Sequence, residues 1–384
     1  MEDEVKYFTF ELVTAKADEQ NDPEFLQHPD DRSGHRIIVT NNNLYSIGGY
    51  NPHYWGREND EFTIYPIFRE LWKFNLTTRI WMKLKTSGEM PVELASHAAL
   101  LLGNNLLVHG GTGTPFGYSS SNQLYACNLR TLQWVNIQCN GTLPGEVYGH
   151  SLTVVGKYIY MFGGTTGFEY SDDVHKLDLE TFIWERIPID DRKPPDNRRR
   201  PKGRYRHEAV TDGEKVFIFG GGRAYATYGF EELDVFNIKE NVWEKHTCQP
   251  AGSIGFPKPR RCHSCVRYKN NVFICGGYNG AEPFNDLWKM NLTTYQWSKF
   301  SQLPNPVYFH SADVTVDGCM YIFGGVNVID TERNADIYRI WLHPPTLKEQ
   351  CWIRFTSLVE DFALLGRDVL LEIGIPEDLV SRVC

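Results

Sequence analysis

Residues 260–300 read RRCHSCVRYKNNVFICGGYNGAEPFNDLWKMNLTTYQWSKF, and this stretch holds one complete structural unit. Val266 to Tyr268 reads as a strand, Asn270-Asn271 as a hairpin turn, and Val272 to Cys275 as an apolar second strand that ends at Gly276-Gly277. Glycine suits a place where the backbone must bend and pack closely without a Cβ. Leu287-Trp288-Lys289-Met290 alternates as a third strand, and Asn291-Leu292-Thr293-Thr294 supplies the next turn. Trp297 then opens an outer strand, where its ring can anchor the unit against a neighbour. Four short strands joined by tight turns make one antiparallel sheet.

The same pattern recurs along the chain. Gly-Gly pairs end apolar runs at Gly48-Gly49, Gly110-Gly111, Gly163-Gly164, Gly220-Gly221, Gly276-Gly277 and Gly324-Gly325. His35, His97, His150, His207 and His263 each stand 13 residues before the first glycine, and His310 stands 14 before its own. Trp81, Trp134, Trp184, Trp243 and Trp297 follow the first five pairs, and the turn chemistry returns at Asn75, Asn128, Asp178 and Asn237. Fixed phase over a period near ~50 residues predicts an all-β, six-bladed β-propeller. The sixth unit stops at His343-Pro344-Pro345, after Ile337–Trp341, without an outer strand. Tyr7 to Val13 alternates and can supply it, with Phe10 in the tryptophan place, which closes the ring and removes its exposed edges. The expected organisation is a segment 1–30 with the closing strand, repeats over 31–345, and a tail over 346–384.

Bulk properties narrow the function. The chain has 384 residues and a formal net charge of −9, which argues against broad nucleic-acid binding. The opening MEDEVKYFTF does not read as a signal peptide, and no run approaches the ~18 apolar residues of a membrane span. Nine cysteines without regular pairing fit reduced thiols in cytosol or nucleus, so the Asn-x-Thr triplets at Asn75, Asn140 and Asn291 are not read as glycan sites. Tyr54 to Phe68 lengthens the first unit, and Asp190 to Lys202 is a basic, Pro-rich insert read as a solvated loop, with a nuclear-localisation patch or a contact for an acidic partner as the alternatives.

The repeated histidines suggest a metal array at first sight, but equal phase puts them in different blades, where they serve packing. Cys262-His263-Ser264-Cys265 has no second cysteine pair to complete a zinc site. No catalytic constellation stands out, so no enzyme activity, metal or cofactor is expected. Binding is better supported. Each blade turns two loops toward the channel mouth, one just before the histidine and one just after Gly-Gly. Tyr148, Arg204, Tyr205, Arg223, Arg261, Tyr278 and Tyr308 fall in or beside these loops, with Arg206 and Arg260 nearby, and predict an aromatic pocket with a cationic side. Forked arginine donors suit a carboxylate and tyrosine rings suit a short extended peptide; ion pairs with neighbouring acids are the alternative. In the tail, Leu347, Cys351, Phe355, Leu358 and Phe362 recur at helical spacing behind a Thr346 cap. Short helices over Asp368–Ile373 and after Pro376 should follow. So little polypeptide cannot bury those faces alone, which predicts docking on a partner, with packing on the propeller's side as the alternative.

The six units resemble kelch repeats. The blocks ELASHAALLLGNNLLVHGGTGTPFG, IGFPKPRRCHSCVRYKNNVFICGGYNG and PVYFHSADVTVDGCMYIFGG are similar to a branch of kelch-domain proteins that look like substrate receptors of cullin-2 RING ubiquitin ligases. The resemblance implies an elongin C box at Thr346, Leu347, Cys351 and Phe355, and a cullin-2 box at Ile375, Pro376 and Leu379. It implies elongin B, elongin C and cullin-2 with its RING subunit as partners, without catalysis by the chain itself. It further implies recognition of C-terminal degrons ending in glycine, including alanine-tailed products of stalled translation, for proteasomal degradation in cytoplasm and nucleus. Relatives place arginines after Gly-Gly and a polar residue two before the histidine; Arg223 and Arg261 hold those places here. Two other classes stay open: a non-ligase kelch scaffold that regulates a phosphatase or kinase in stress signalling, and a propeller oxidase.

Overall fold

In four blades the turn between the third and fourth strands is capped by its own first residue. Asn291 Oδ1 accepts the backbone N–H groups of Thr293 and Thr294 at 2.9 and 3.0 Å. Asn75, Asn128 and Asp178 do the same for the two residues that follow theirs by two and three. The computed structural model describes residues 7–16, 28–54, 66–188, 200–328, 332–359 and 365–383. Most of the 190–202 insert, part of 54–68, and Phe362 lie outside these residues.

Six antiparallel sheets surround one axis. In blade 5 the strands are Ser264–Tyr268, Asn271–Cys275, Asp286–Asn291 and Trp297–Gln302, in that spatial order. Blades 2 and 3 differ from the four-stranded expectation. Ser87–Gly88 and Asn140–Gly141 add a short parallel strand outside Gln133–Ile137 and Ile183–Arg186, because the chain arriving from the previous blade lies along that edge.

The ring closes with the N-terminal strand. Glu11–Leu12 pairs antiparallel with Glu332–Trp341, matching Glu11 to Arg339 and Leu12 to Tyr338, and Arg339 Nε meets Glu11 Oε2 at 2.9 Å. Phe10 is buried at 8 % exposure among Phe273 and Cys275 of blade 5 and Ile322 and Ile340 of blade 6. Tryptophan has the same task elsewhere: the Trp81 ring lies 5.3 Å from Phe323 of blade 6, and Trp297 lies 5.6 Å from Phe230 of blade 4. The backbone repeats as well. Arg79, Leu132, Phe182, Asn241 and Tyr295, two residues before each tryptophan, have φ between 54° and 61°, and Phe8 has φ 61° two residues before Phe10.

Adjacent blades are joined through the Gly-Gly pairs. The second glycine's N–H donates to the carbonyl three residues ahead of the next blade's histidine: Gly49 to Leu94, Gly111 to Val147, Gly164 to Arg204, Gly221 to Arg260, Gly277 to Val307 and Gly325 to Arg32, all at 2.8–3.0 Å. The first glycine allows that approach. A Cβ on Gly276 would stand 2.4 Å from the Val307 oxygen and 2.8 Å from His310 Cε1. Each repeated histidine therefore fills the space against the previous blade's glycine. His207 Nε2 and His310 Nε2 lie 2.8 Å from the Ser151 and Ser264 hydroxyls, inside the sheet stack. Among the described residues no group of three His, Cys, Asp or Glu is placed to hold a metal ion.

The residue before each histidine completes the axis. Gly34, Ser96, Gly149, Arg206, Cys262 and Phe309 all have φ between 54° and 68°. The N–H of each donates to the carbonyl of the member before it, Gly34 to Phe309 closing the circle, at 2.7–3.1 Å.

The tail folds as α1 (Leu347–Leu358), α2 (Arg367–Glu372) and α3 (Glu377–Val380), with the Thr346 side chain accepting the Glu349 N–H. Trp352, Leu370, Leu379 and Val380 bury together, so these helices cover part of their apolar faces themselves, contrary to the expectation that this needs a partner. Ile353 packs on the cluster that joins blades 1 and 6. Asn42 Nδ2 and Asn75 Nδ2 of blade 1 donate to the carbonyls of Ser381 and Arg382, and Arg382 pairs with Glu349 at 2.7 Å.

Burial pushes the six repeated histidines below the ordinary imidazole value, to about 3 for His97, His207 and His310. The unfolded chain binds protons below pH ~6.5 that the fold refuses, so stability is full above that pH and is lost as pH falls toward 3. Between pH 6.5 and 5 the loss is roughly 2 kcal/mol per histidine. Burial raises Asp31 and, to about 6, Asp313, which act oppositely, but they are two carboxyls against six imidazoles. The melting temperature should fall steeply from pH 7 to 5 in thermal unfolding; a flat profile would contradict neutral buried imidazoles.

Candidate functional site

In every blade the two mouth loops meet as a single β-bridge. The pairs are Ser33–Tyr50, Ala95–Thr112, Tyr148–Thr165, Tyr205–Gly222, Arg261–Tyr278 and Tyr308–Val326. Together they surround a cavity of about 300 Å³ walled by Tyr50, Phe116, Tyr148, Tyr205, Tyr308 and Phe309, with Ser33, Ser96, Arg206 and Arg333 as its polar groups. The rings support one another: Tyr50 and Phe116 lie 4.8 Å apart, and Tyr148 and Tyr205 6.4 Å apart. Burial pushes the Tyr205 hydroxyl up to about 12 and Tyr148 in the same direction, so both stay neutral hydrogen-bonding groups.

The cavity has a floor. Arg206 reaches from blade 4 across the axis, donates to Ser96 Oγ before blade 2, and holds its guanidinium 4.5 Å from the Phe309 ring before blade 6. Its Nε is buried without a hydrogen-bond partner among the described residues. Burial, and the neighbouring Arg36 guanidinium, push Arg206 below its ordinary value. Deeper in the channel, Arg36 of blade 1 pairs with Glu208 of blade 4 at 2.9 Å, a brace between opposite blades. Arg333 stands on the wall, donating to Ser33 Oγ at 3.1 Å and lying 5.3 Å from the Tyr50 ring. Arg36 and Arg206 thus share the axis with the Glu208 carboxylate, and Arg333 adds a guanidinium on the wall. A buried cation with an unmet N–H is stabilised by an incoming anion, and a carboxylate matches the forked donors.

Tyr148, Tyr205 and Tyr308 line the cavity as the sequence predicts. Tyr278 stands behind the wall, stacked on Tyr308 at 5.0 Å. Arg261 lies 5.7 Å from the Tyr205 ring and donates to the carbonyls of Arg223 and Ala224, which steadies the neighbouring hairpin. Gly222 holds the bridging place in blade 4, so the glycine triplet moves Arg223 one residue outward, where its Nε donates to the Gly203 carbonyl at 2.8 Å. Arg204 corrects the sequence reading: it does not face the cavity. It is buried in an ion pair with Asp234, donates to the Gly220 carbonyl at 3.0 Å, and lies 4.4 Å from the Tyr228 ring. Arg32 and Arg260 repeat this arrangement with Glu70 and Asp286, and Arg32 and Lys83 hold the Glu70 carboxyl down at about 2 despite its burial. Their shared phase, three before the histidine, was the signal of a structural role.

On the tail, Leu347 is 75 % exposed and Cys351 is exposed one turn on, whereas Phe355 is half-buried against Trp352. Pro376 is exposed, Ile375 half-buried, and Leu379 is turned into the tail's own core, away from any partner.

The profile of the KLHDC2/KLHL20/DRC7 Kelch-repeats domain matches residues 6–201 and 192–357. Kelch domain-containing protein 10 of Xenopus laevis is 45 % identical over 360 residues, covering 92 % of this chain and 86 % of that protein. The human protein of the same name is 44 % identical over 362 residues, covering 92 % and 80 %. The chain belongs to the kelch domain-containing protein 10 family. Human Kelch domain-containing protein 3 is a more distant relative of the family member described here, 28 % identical over 376 residues.

Two neighbouring arginines of this kelch propeller should respond differently to removal. Arg204→Met takes away one of the two cations on buried Asp234, leaving Lys245 at 2.8 Å, and should cost about 2 kcal/mol or more. Arg206→Met removes a cation with an unmet donor and should change stability by about 1 kcal/mol or less. Denaturant unfolding of both variants checks the assignment, which equal losses would overturn.

Proposed function

We propose that this protein is the substrate-recognition subunit of a cullin-2–elongin B/C RING ubiquitin ligase and that its propeller mouth holds the C-terminus of chains ending in glycine. The observation that carries the reading is the floored, aromatic-walled cavity with Arg206 lying across its bottom and Arg333 on its wall. A through-groove suits the middle of a chain, but a floored well suits an end. The negative main-chain group at a chain's end is its carboxylate, which arginine can take in two parallel hydrogen bonds. A last residue without a side chain lets that carboxylate reach the floor between close-set rings. Arg261 and Arg223 hold the adjacent rim, and Tyr278 backs the wall.

The tail supplies the other half of the reading. Thr346, Leu347, Cys351 and Phe355 form the elongin C box, with Leu347 and Cys351 presented outward from a helix whose opposite side is held on the propeller. Ile375, Pro376 and Leu379 form the cullin-2 box, of which Pro376 is the outward residue and Leu379 a core support. Ubiquitin transfer is the task of the other subunits. Substrates, including alanine-tailed products of stalled translation, go to the proteasome from cytoplasm and nucleus.

Two experiments test the halves separately. A Gly-ended peptide should bind the purified protein at least tenfold more tightly as the free acid than as the C-terminal amide, and Arg206→Met should abolish that difference in a polarisation titration. Equal binding of acid and amide by the unaltered protein would sink the degron reading. Co-expressed elongin B and elongin C should co-elute with the chain and be lost with Leu347→Asp; a well-folded chain that elutes alone would leave a kelch scaffold without ligase assembly.

A further inference from the structure

Above the well, the rim over blades 2 and 3 carries two large exposed rings. Tyr118 is 77 % exposed and Phe168 is 68 % exposed, and their rings meet edge-to-face at 5.5 Å although they belong to different blades. The loops that carry them are held firmly by hydrogen bonds. In blade 2, Gly113 N–H donates to the Ser119 carbonyl at 2.6 Å, and Thr112 Oγ1 donates to the same oxygen at 2.8 Å. In blade 3, Thr165 Oγ1 donates to the Glu169 carbonyl at 2.6 Å, while Thr166 Oγ1 accepts the N–H groups of Phe168 and Glu169 at 3.3 and 3.1 Å. The loops also approach at their glycines: a Cβ on Gly167 would lie 2.7 Å from Gly117 Cα. So the fold spends two glycine positions and a set of local hydrogen bonds on holding apolar rings out in water, which marks an interaction surface rather than chance exposure.

This ridge is continuous with the well. A Cβ on the same Gly167 would lie 3.6 Å from the hydroxyl of Tyr148, which lines the cavity wall, and Phe116, one residue before Gly117, lines the cavity itself. Blades 5 and 6 build the mouth differently, and the blade 4 hairpin carries its own exposed ring, Tyr225. The blade 6 hairpin continues past Gly325, pairing Val326 with Arg333 and Val328 with Glu332, and so forms a raised wall. The blade 5 loop is polar and bonded to itself, with Asn279 Oδ1 accepting the N–H groups of Ala281 and Glu282.

We infer that Tyr118 and Phe168 form a second subsite, which takes an apolar side chain of the bound chain upstream of its C-terminal carboxylate. This rests on the reading of the well as a carboxylate site. At ~3.3 Å per extended residue, the third to fifth residues from the end lie about 10–15 Å from the carboxylate, and these are the ones we assign to the ridge. The substrate class is then narrower than any chain ending in glycine: chains with an apolar residue in that upstream window are preferred, and charged residues there are disfavoured.

The test uses the whole protein and fluorescent peptides that share a Gly terminus and differ only at the third to fifth positions, leucine or phenylalanine against aspartate or lysine. Each peptide is made as acid and as amide. The unaltered protein should prefer apolar over charged peptides about tenfold. The Tyr118→Ser, Phe168→Ser double variant should lose that preference and keep its acid-over-amide preference, which also shows that it is folded. Equal affinity for apolar and charged peptides, or a preference that survives in the double variant, would overturn the ridge. Equal binding of acids and amides with the apolar preference intact would instead overturn the well and leave the ridge standing. No binding of any acid peptide would overturn both.

Discussion

Six backbone hydrogen bonds, closed in a circle from Gly34 through Ser96, Gly149, Arg206, Cys262 and Phe309, set the geometry on which the rest of the propeller depends. Each of the six residues must have a positive φ for its N–H and C=O to point around the axis rather than along a strand. The next residue is then always the histidine, and it is driven against the first glycine of the preceding blade, while the second glycine's N–H reaches across to the same blade entry. His, Gly-Gly and the axial ring are one interlocking device repeated six times. The device also decides where function can sit. Side chains one before the histidine point toward the axis, and those two before it or just after Gly-Gly surround the mouth. Those positions are free to vary because the fold asks of them only a backbone conformation.

That freedom explains what could be read in advance. The blade count, the closure by residues 7–13, the Phe10 substitute for tryptophan and the Thr346 cap were legible, because each is a local pattern or the gap in a repeated one. The tyrosine wall was legible for the same reason: Tyr148, Tyr205 and Tyr308 share a phase. Arg206 was legible only as one of several nearby cations, because its own phase also holds glycine, serine, cysteine and phenylalanine; nothing in the chain says that this side chain crosses the axis to Ser96. Arg333 sits on the paired extension of the blade 6 hairpin past Gly325, so no shared phase marks it. Arg204 misled in the opposite way. Beside a tyrosine it looked like a pocket cation, yet Arg32 and Arg260 hold its phase in other blades, and a residue repeated in phase is serving the repeat.

The electrostatics of the axis separate the two kinds of arginine. Arg32, Arg204 and Arg260 each bury a guanidinium with its own carboxylate, a carbonyl and an aromatic face, so their charge is answered within the blade. Along the axis, Glu208 is taken up by Arg36, and Arg206 is left with a hydroxyl, a ring and an unmet N–H. A desolvated cation in that position is costly until an anion arrives, which is a way to favour one ligand charge without offering the ligand a large contact area. Aromatic walls exclude water around the pair and strengthen the attraction.

The tail bears on this site through the seam at which the ring closes. It leaves blade 6 at Leu342, buries Ile353 against the cluster shared by blades 1 and 6, and ends with the Ser381 and Arg382 carbonyls held by two turns of blade 1. The N-terminal strand closes the same seam from the blade 6 side through Glu11 and Arg339. An element fastened to both first and last blades cannot swing independently of either, so the outward face of α1 keeps a set direction relative to the mouth. Under the ligase reading proposed above, that constraint replaces a search by a flexible linker with a held geometry. The polar contacts Glu349–Arg382, Asn42 and Asn75 then become parts on which substrate delivery depends, although none of them lines the cavity.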